Sequence, residues 1–253
     1  MSKLVEVNPW QALRRFTQAR IALGRVGASL PTEEVLQFGL AHAQARDAVW
    51  QPFAAESVAA TLNAMSMTTV FVHSAAPDRA SYLRRPDWGR RLEPESRARL
   101  AALRTEPLPD LAFVVADGLS APAVHRHAVP LLERVYSSLR AEGWRIAPVV
   151  IAQQSRVALG DEVGELLGAS LVAVLIGERP GLSSPDSLGV YLTYAPHVGC
   201  TDAERNCLSN IRPEGLSYDE AARKLRYLLM AARRLRLTGI GLKDDSDGLL
   251  CKL

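Results

Sequence analysis

The sequence feature that most constrains the fold is an uninterrupted apolar run, Leu171–Ile176 (LVAVLI), followed directly by the segment Gly177–Leu182 (GERPGL). A strand that is apolar at every position is typical of a parallel sheet covered on both faces. In open α/β sheets, ligands bind beyond the carboxyl ends of such strands. A loop at this place that carries two glycines, an acid and an arginine therefore predicts a ligand site rather than only a turn.

The second half of the chain alternates between strand and helix patterns. Three strands separated by two helices are expected, in the order Leu111–Ala116, Pro122–Glu142, Ile146–Ile151, Asp161–Leu167 and Leu171–Ile176. This β-α-β-α-β order predicts a mostly parallel sheet with right-handed crossovers. A fourth strand is expected at Val190–Tyr194. A long final helix is expected at Ser217–Leu237, where Ser217 and Glu220 have the spacing of a capping box.

The first part of the chain has a helical pattern instead. Apolar residues at helical spacing predict a first helix from Pro9 that carries Arg14, Arg15, Arg20 and Arg25. Further helices are expected near 31–50, 52–62 and 93–104, with a short strand at 68–73 and an irregular segment at 74–92. We therefore predict an α/β protein with two parts. Residues 1–104 form a helical N-terminal domain with a connecting segment, and residues 105–253 form the sheet domain.

Composition excludes several classes of function. The chain of 253 residues has 30 basic and 27 acidic residues, a net charge of +3, so nucleic acid is not an expected partner. No apolar run is long enough to span a bilayer, and the N-terminus does not resemble a signal peptide. Three cysteines without a C-x-x-C pattern indicate neither a disulfide framework nor a zinc site, which fits a reducing cytoplasm.

The loops behind the three strands are expected to meet at one edge of the sheet. They are Asp117–Ser120, Gln154–Val157 and Gly177–Leu182. Together they supply acidic, amide, hydroxyl and guanidinium groups, which suits a large polar ligand. Two plainer interpretations stay open: Asp117 caps the following helix, and Glu178 and Arg179 pair with each other or with a neighbour on the surface.

Catalytic motifs are absent from the sequence. There is no G-x-G-x-x-G behind the first strand, no P-loop and no G-x-S-x-G nucleophile elbow. His125 and His127 are two positions apart on a predicted helix and therefore point to different faces. These residues favour a binding module over a catalyst.

Six ordered blocks between Leu13 and Gly239 resemble a known family, the small (light) subunit of ethanolamine ammonia-lyase. The blocks are Thr17–Arg25, Tyr82–Leu92, Ala116–Ser120, Ser155–Val157, Gly177–Leu182 and Asn206–Ile211. The resemblance implies an enzyme that converts ethanolamine to acetaldehyde and ammonia by adenosylcobalamin radical chemistry. It also implies a large subunit that holds the substrate, and a small subunit whose Rossmann-like three-layer domain completes the cobalamin site.

The resemblance places the cobalamin contacts on Val157, Glu178 and Cys207, with no catalytic residue and no metal ligand from this chain. Val157 would offer an apolar surface to the corrin, and Glu178 would accept hydrogen bonds from amides or hydroxyls. Cys207 would pack closely as a small, soft side chain. The D-x-H-x-x-G motif of proteins that supply a histidine to cobalt is absent, so cobalamin is expected to keep its own dimethylbenzimidazole.

The resemblance also bears on location. Some family members carry a longer N-terminal extension that directs them into bacterial microcompartments, whereas here the helical pattern begins near Pro9. A cytoplasmic enzyme is therefore expected, with a microcompartment as the alternative. Two other functions stay open: a Rossmann-like sensor or scaffold that binds a nucleotide or sugar phosphate, and a stand-alone enzyme.

Overall fold

The computed structural model describes residues 4–247 and shows a mixed α/β fold. The helices are α1 Thr32–Trp50, α2 Ala55–Ala64, α3 Arg79–Arg84, α4 Pro94–Ala102, α5 Ala121–Ala141, α6 Leu159–Leu167 and α7 Tyr218–Leu235. The strands are β1 Thr69–His73, β2 Leu111–Ala116, β3 Val149–Gln153, β4 Leu171–Gly177, β5 Leu188–Tyr194 and β6 Arg205–Ile211. Short 3-10 helices lie at Gln11–Phe16, Trp88–Arg90, Asp202–Glu204 and Gly239–Gly241. Within this described range, each helix is too short or too polar to cross a membrane.

The six strands form one sheet in the order β1-β3-β2-β4-β5-β6. The first four in this order are parallel, whereas β5 is antiparallel to β4 and β6 is antiparallel to β5. Neither the β4–β5 connection nor the β5–β6 connection contains an α-helix. Without a crossover helix, successive strands pair as antiparallel neighbours. The prediction of a mostly parallel sheet is confirmed. The expected fourth strand is present as β5, whereas β6 was not predicted from the sequence.

Helices cover both faces of the sheet. The strands β2 and β4 are buried at every position, as the unbroken apolar runs predict. On one face, Phe113 packs in a core with residues of α2, α5 and α7. On the other face, Val114 packs with residues of α4 and α6. The sheet is therefore the middle layer, and its carboxyl edge stays open between the helices. A closer likeness to a Rossmann fold stays a prediction.

The first predicted helix is wrong. Residues 11–16 form a 3-10 helix without a buried residue, and Arg20 and Arg25 lie outside any helix. Phe16 keeps 72% of its surface exposed. An amphipathic helix depends on a surface that buries its apolar side, and the described part of this chain supplies none here. The later helices α1, α2 and α4 are present close to their predicted bounds.

The sheet contains strands from both sides of the predicted domain boundary after residue 104. Strand β1, Thr69–His73, precedes this boundary and pairs in parallel with β3, Val149–Gln153, which follows it. The expected irregular segment 74–92 also contains α3 and a 3-10 helix. For the residues before β1, a separate N-terminal domain stays a prediction.

One smaller expectation also needs correction. The strand expected at Ile146 begins at Val149, because Pro148 has no N–H group to donate to a neighbouring strand. Residues 243–247 lie against α7, where Lys224 Nζ is 3.1 Å from the Asp244 carboxylate. Cys251 lies outside the described residues.

A close backbone approach joins the ends of β2 and β4. Gly118 has a φ of +57°, and a Cβ built on it would lie 2.2 Å from the Gly177 carbonyl oxygen. The next residue, Leu119, donates its N–H to that same oxygen at 2.9 Å. A residue other than glycine at position 118 therefore cannot keep this junction.

We expect Gly118→Ala to lower the free energy of unfolding by more than about 2 kcal/mol, because it adds a steric clash to a left-handed backbone. Urea unfolding followed by circular dichroism measures the change. Gly143→Ala is the matched control, since Gly143 has a φ of +79° but open space around its Cβ position. It should lose only about 1 kcal/mol. Equal losses in the two variants would contradict the clash.

Candidate functional site

The loops behind β2, β3 and β4 meet at the carboxyl edge of the sheet, as the sequence predicts. They border a cavity of about 470 Å³. The lining residues include Tyr82, Gly118, Val157, Glu178, Arg179, Tyr191 and Ser209. Two of the three predicted contacts, Val157 and Glu178, therefore lie in one cavity.

Asp117 ties the loop behind β2 to the loop behind β3. Its buried carboxylate accepts the backbone N–H groups of Gln154 and Ser155, each at 2.9 Å, and pairs with Arg79 at 3.4 Å. Burial raises the pKa of this carboxyl, and the two N–H donors and Arg79 oppose that shift. The proposed helix cap is a different residue, Ser120, whose hydroxyl accepts the N–H of Ala123. Asp117 thus fixes the position of the loop behind β3 relative to the end of β2.

Tyr82 fixes the Ser155–Val157 loop from the other side. Its buried ring lies between two guanidinium groups, those of Arg79 at 4.7 Å and Arg156 at 4.3 Å. Its hydroxyl donates to the Ser155 carbonyl at 3.0 Å. Sequence reasoning did not single out Tyr82 or Arg79 as site residues, although Tyr82 opens one of the six family blocks.

Glu178 is held from β6, the strand that was not predicted. Its Oε1 accepts the Ser209 hydroxyl at 2.5 Å, and its Oε2 accepts the Asn210 backbone N–H at 3.1 Å. Among residues 4–247, no cation pairs with it, so the suggested pairing with Arg179 is wrong. Each carboxylate oxygen accepts one internal bond and retains a further lone pair for a ligand.

Cys207 does not line the cavity itself. It lies opposite Tyr191 in the pairing of β5 with β6, and Tyr191 lines the cavity. Desolvation raises the pKa of the Cys207 thiol, and the negative charge of Glu178 raises it further. The thiol therefore stays protonated near neutral pH and is not an activated nucleophile. The expected packing role fits this chemistry.

A second cavity of about 600 Å³ adjoins the first. Arg156 and Val157 line both cavities, and Arg90, Arg91, Cys200 and Arg205 line the second. The Arg156 Nε is buried and has no hydrogen-bond partner within the described part of the chain. The ridge formed by Arg156 and Val157 can therefore contact one ligand that extends over both cavities.

The histidines of α5 are used inside the fold. His125 Nε2 accepts the N–H of Ala54 at 2.9 Å, and His127 Nδ1 lies 2.7 Å from the Tyr218 hydroxyl. Burial lowers the pKa of both imidazoles. Neither histidine lines either cavity. Each has its own hydrogen-bond partner inside the fold.

Comparison with known proteins decides the family. The ethanolamine ammonia-lyase light chain family matches residues 7–243. The ethanolamine ammonia-lyase small subunit of Azotobacter vinelandii is 59% identical over 242 residues, which cover 95% of this chain and 90% of that protein. That of Ralstonia nicotianae is 58% identical over 246 residues, covering 96% and 91%. This chain belongs to the ethanolamine ammonia-lyase small-subunit family.

The family predicted from the six blocks is thus confirmed, and the sensor or scaffold alternative finds no support in these relatives. Five of the six blocks contribute lining residues to the two cavities: Tyr82–Leu92, Ala116–Ser120, Ser155–Val157, Gly177–Leu182 and Asn206–Ile211. The blocks that suggested the family therefore also build the cavities.

We expect Asp117→Ala to lower the free energy of unfolding by about 3–5 kcal/mol, because it leaves Arg79 buried without its carboxylate partner. Two backbone N–H groups lose their acceptor as well. Chemical denaturation measures the loss. Asp219→Ala serves as the control, since it removes an exposed carboxylate that pairs with Arg134 and should change little. A near-native stability of Asp117→Ala would show that the loops are held by other contacts.

Proposed function

We propose that this chain is the small subunit of an ethanolamine ammonia-lyase and completes an adenosylcobalamin site against a large subunit. The observation that carries the proposal is the pair of adjoining cavities that share Arg156 and Val157 at the carboxyl edge of the sheet. The relatives named above are ethanolamine ammonia-lyase small subunits, which supports an ammonia-lyase acting on ethanolamine. The reaction that the family resemblance implies is the conversion of ethanolamine to acetaldehyde and ammonia. Adenosylcobalamin, when bound, would supply the radical that starts this deamination.

The residues present fit a large cofactor with both apolar and amide groups. Val157 is half-buried on the ridge and offers an apolar side chain between the two cavities. The Arg156 guanidinium lines both cavities beside it and supplies N–H donors. Donors in this position favour a ligand with a carbonyl or phosphate oxygen.

Glu178 would act as a fixed acceptor for the cofactor. Ser209 and Asn210 hold its carboxylate in place, so little side-chain entropy is lost when a ligand donor binds. Cys207 would complete this wall as a small side chain behind Tyr191. Both roles concern binding and orientation, and we assign no catalytic step to this chain.

The large subunit would cover an apolar surface at the N-terminal side of the chain. In α1, Leu36 and Leu40 keep 67% and 61% of their surface exposed, and only Ala41 and Ala48 are buried. Further exposed apolar residues precede this helix: Val7, Trp10, Leu13, Phe16, Ile21, Val26 and Leu30. A soluble monomer rarely exposes so many neighbouring apolar side chains, whereas subunit interfaces bury them.

We also propose that the complex works in the cytoplasm. Cys200 and Cys207 are free thiols, as expected in a reducing compartment. Enclosure in a microcompartment, as in part of the family, is the alternative, and fractionation of cell extracts separates the two.

We expect Glu178→Ala to weaken adenosylcobalamin binding by roughly ten- to a hundredfold, because a hydrogen bond to a charged group contributes about 1.5–3 kcal/mol. Equilibrium dialysis of the purified two-subunit complex measures the affinity, and size-exclusion chromatography checks assembly.

Glu214→Ala is the matched control for this variant, since it removes an exposed acid outside both cavities. It should bind adenosylcobalamin like the unaltered complex. Unchanged affinity in Glu178→Ala, or an equal loss in the two variants, would refute the assignment of Glu178.

The function itself is tested by assembly. The chain and its large subunit, mixed with adenosylcobalamin and ethanolamine, should release acetaldehyde, and either chain alone should not. Leu36→Asp combined with Leu40→Asp should lower assembly and acetaldehyde release together by at least tenfold, because two charges then enter an apolar interface. Ile240→Asp is the control, since Ile240 is an exposed apolar residue far in sequence from α1. A complex without activity would refute the function, and normal assembly of the double variant would refute the surface.

A further inference from the structure

The loop between β5 and β6 brings three metal-ligating side chains together. One ligand atom each from His197, Cys200 and Glu204 lies within 4.8 Å of the others. The Cys200 Sγ is 3.3 Å from Nδ1 and 4.0 Å from Nε2 of His197. In a tetrahedral zinc site, Zn–S and Zn–N bonds of about 2.3 and 2.0 Å put sulfur and nitrogen roughly 3.5 Å apart. The loop already has these dimensions.

The histidine has the arrangement that prepares an imidazole for a metal. Its Nδ1 lies 3.1 Å from the carbonyl oxygen of Ala195 in the same loop and can donate a hydrogen bond to it. This bond selects the tautomer in which Nε2 carries the lone pair, and Nε2 lies 4.0 Å from the Cys200 Sγ. A carboxylate, a backbone carbonyl or a water molecule orients most metal-binding histidines in this way.

Glu204 is also held with one oxygen free. Its Oε2 accepts the backbone N–H of Thr201 at 2.7 Å and the Thr201 hydroxyl at 2.8 Å. Its Oε1 has no internal hydrogen bond within the described residues and can bind a cation. The carboxylate is therefore oriented by its own turn before a metal arrives.

A buried ion pair fixes the loop between β5 and β6. Arg205 pairs with Asp161 at 2.5 Å and donates to the Cys200 carbonyl at 2.8 Å. Val198 is tied separately, since its N–H donates to the Glu165 carboxylate at 2.8 Å. These contacts hold the positions of the three side chains, so metal binding would not have to order the loop.

We propose that His197, Cys200 and Glu204 bind one zinc ion, with a water molecule in the fourth position. The combination of one sulfur, one nitrogen and one oxygen ligand suits zinc, which is of intermediate softness. On binding, the thiol releases its proton to solvent and the sulfur forms the bond to the metal. The ion would cross-link residues 197–204, which form part of the wall of the larger cavity.

The test uses the chain in complex with its large subunit, treated with chelator and kept free of cobalamin. Co²⁺ replaces zinc as the probe, because a thiolate ligand gives it a charge-transfer absorption band in the near ultraviolet. We expect one Co²⁺ per small subunit beyond any bound by the large subunit, and displacement by Zn²⁺. Cys200→Ser should abolish the band, and His197→Ala and Glu204→Gln should each weaken binding at least tenfold.

Cys207→Ser is the matched control, since it removes the other described free thiol and should keep the band. Urea unfolding of each metal-free variant checks that the fold is intact. A band that persists in Cys200→Ser, or binding that the three variants leave unchanged, would overturn the proposal. So would the absence of any additional Co²⁺ at micromolar concentrations. None of these outcomes depends on the cobalamin assignment, because no cobalamin is present.

Discussion

The buried carboxylate of Asp117 is the contact on which the site depends. It accepts two N–H groups from the loop behind β3, while Gly118, the next residue, lets the end of β2 touch the end of β4. Three strand ends are thereby fixed relative to one another by two adjacent residues. This junction brings the Ser155–Val157 and Gly177–Leu182 loops to the border of the same cavity.

The remaining walls follow from this junction. The loop behind β3 is held a second time by Tyr82, and Glu178 is held by the polar end of β6. The carboxylates of Asp117 and Glu178 are thus held by the protein itself. The groups left to meet a ligand are the apolar side chain of Val157, the spare acceptor positions of Glu178 and the guanidinium groups that line the cavities, those of Arg90, Arg91, Arg156 and Arg179. Such a surface of fixed acceptors and cationic donors suits the binding of a large polar cofactor more than catalysis.

The N-terminal side of the chain has the opposite character. Many of its apolar residues stay exposed within residues 4–247, and the first predicted helix is replaced by a short 3-10 helix. An amphipathic pattern without a surface to bury it does not form a stable helix in water. The proposed interface with a large subunit would supply such a surface.

The sequence by itself determined most of the strands and helices after residue 104, because unbroken apolar runs and helical spacing report burial directly. It also determined the family through six ordered blocks, two of which contain Val157 and Glu178. Only the tertiary structure decided which side chains hold the site together. Asp117, Tyr82 and Ser209 act through partners 30 to 70 or more positions away in the chain, and no local pattern encodes such pairs. The strand β6 was not expected for the same reason: its mostly polar residues become a strand only beside β5, whose hydrogen-bonding edge is created by the fold.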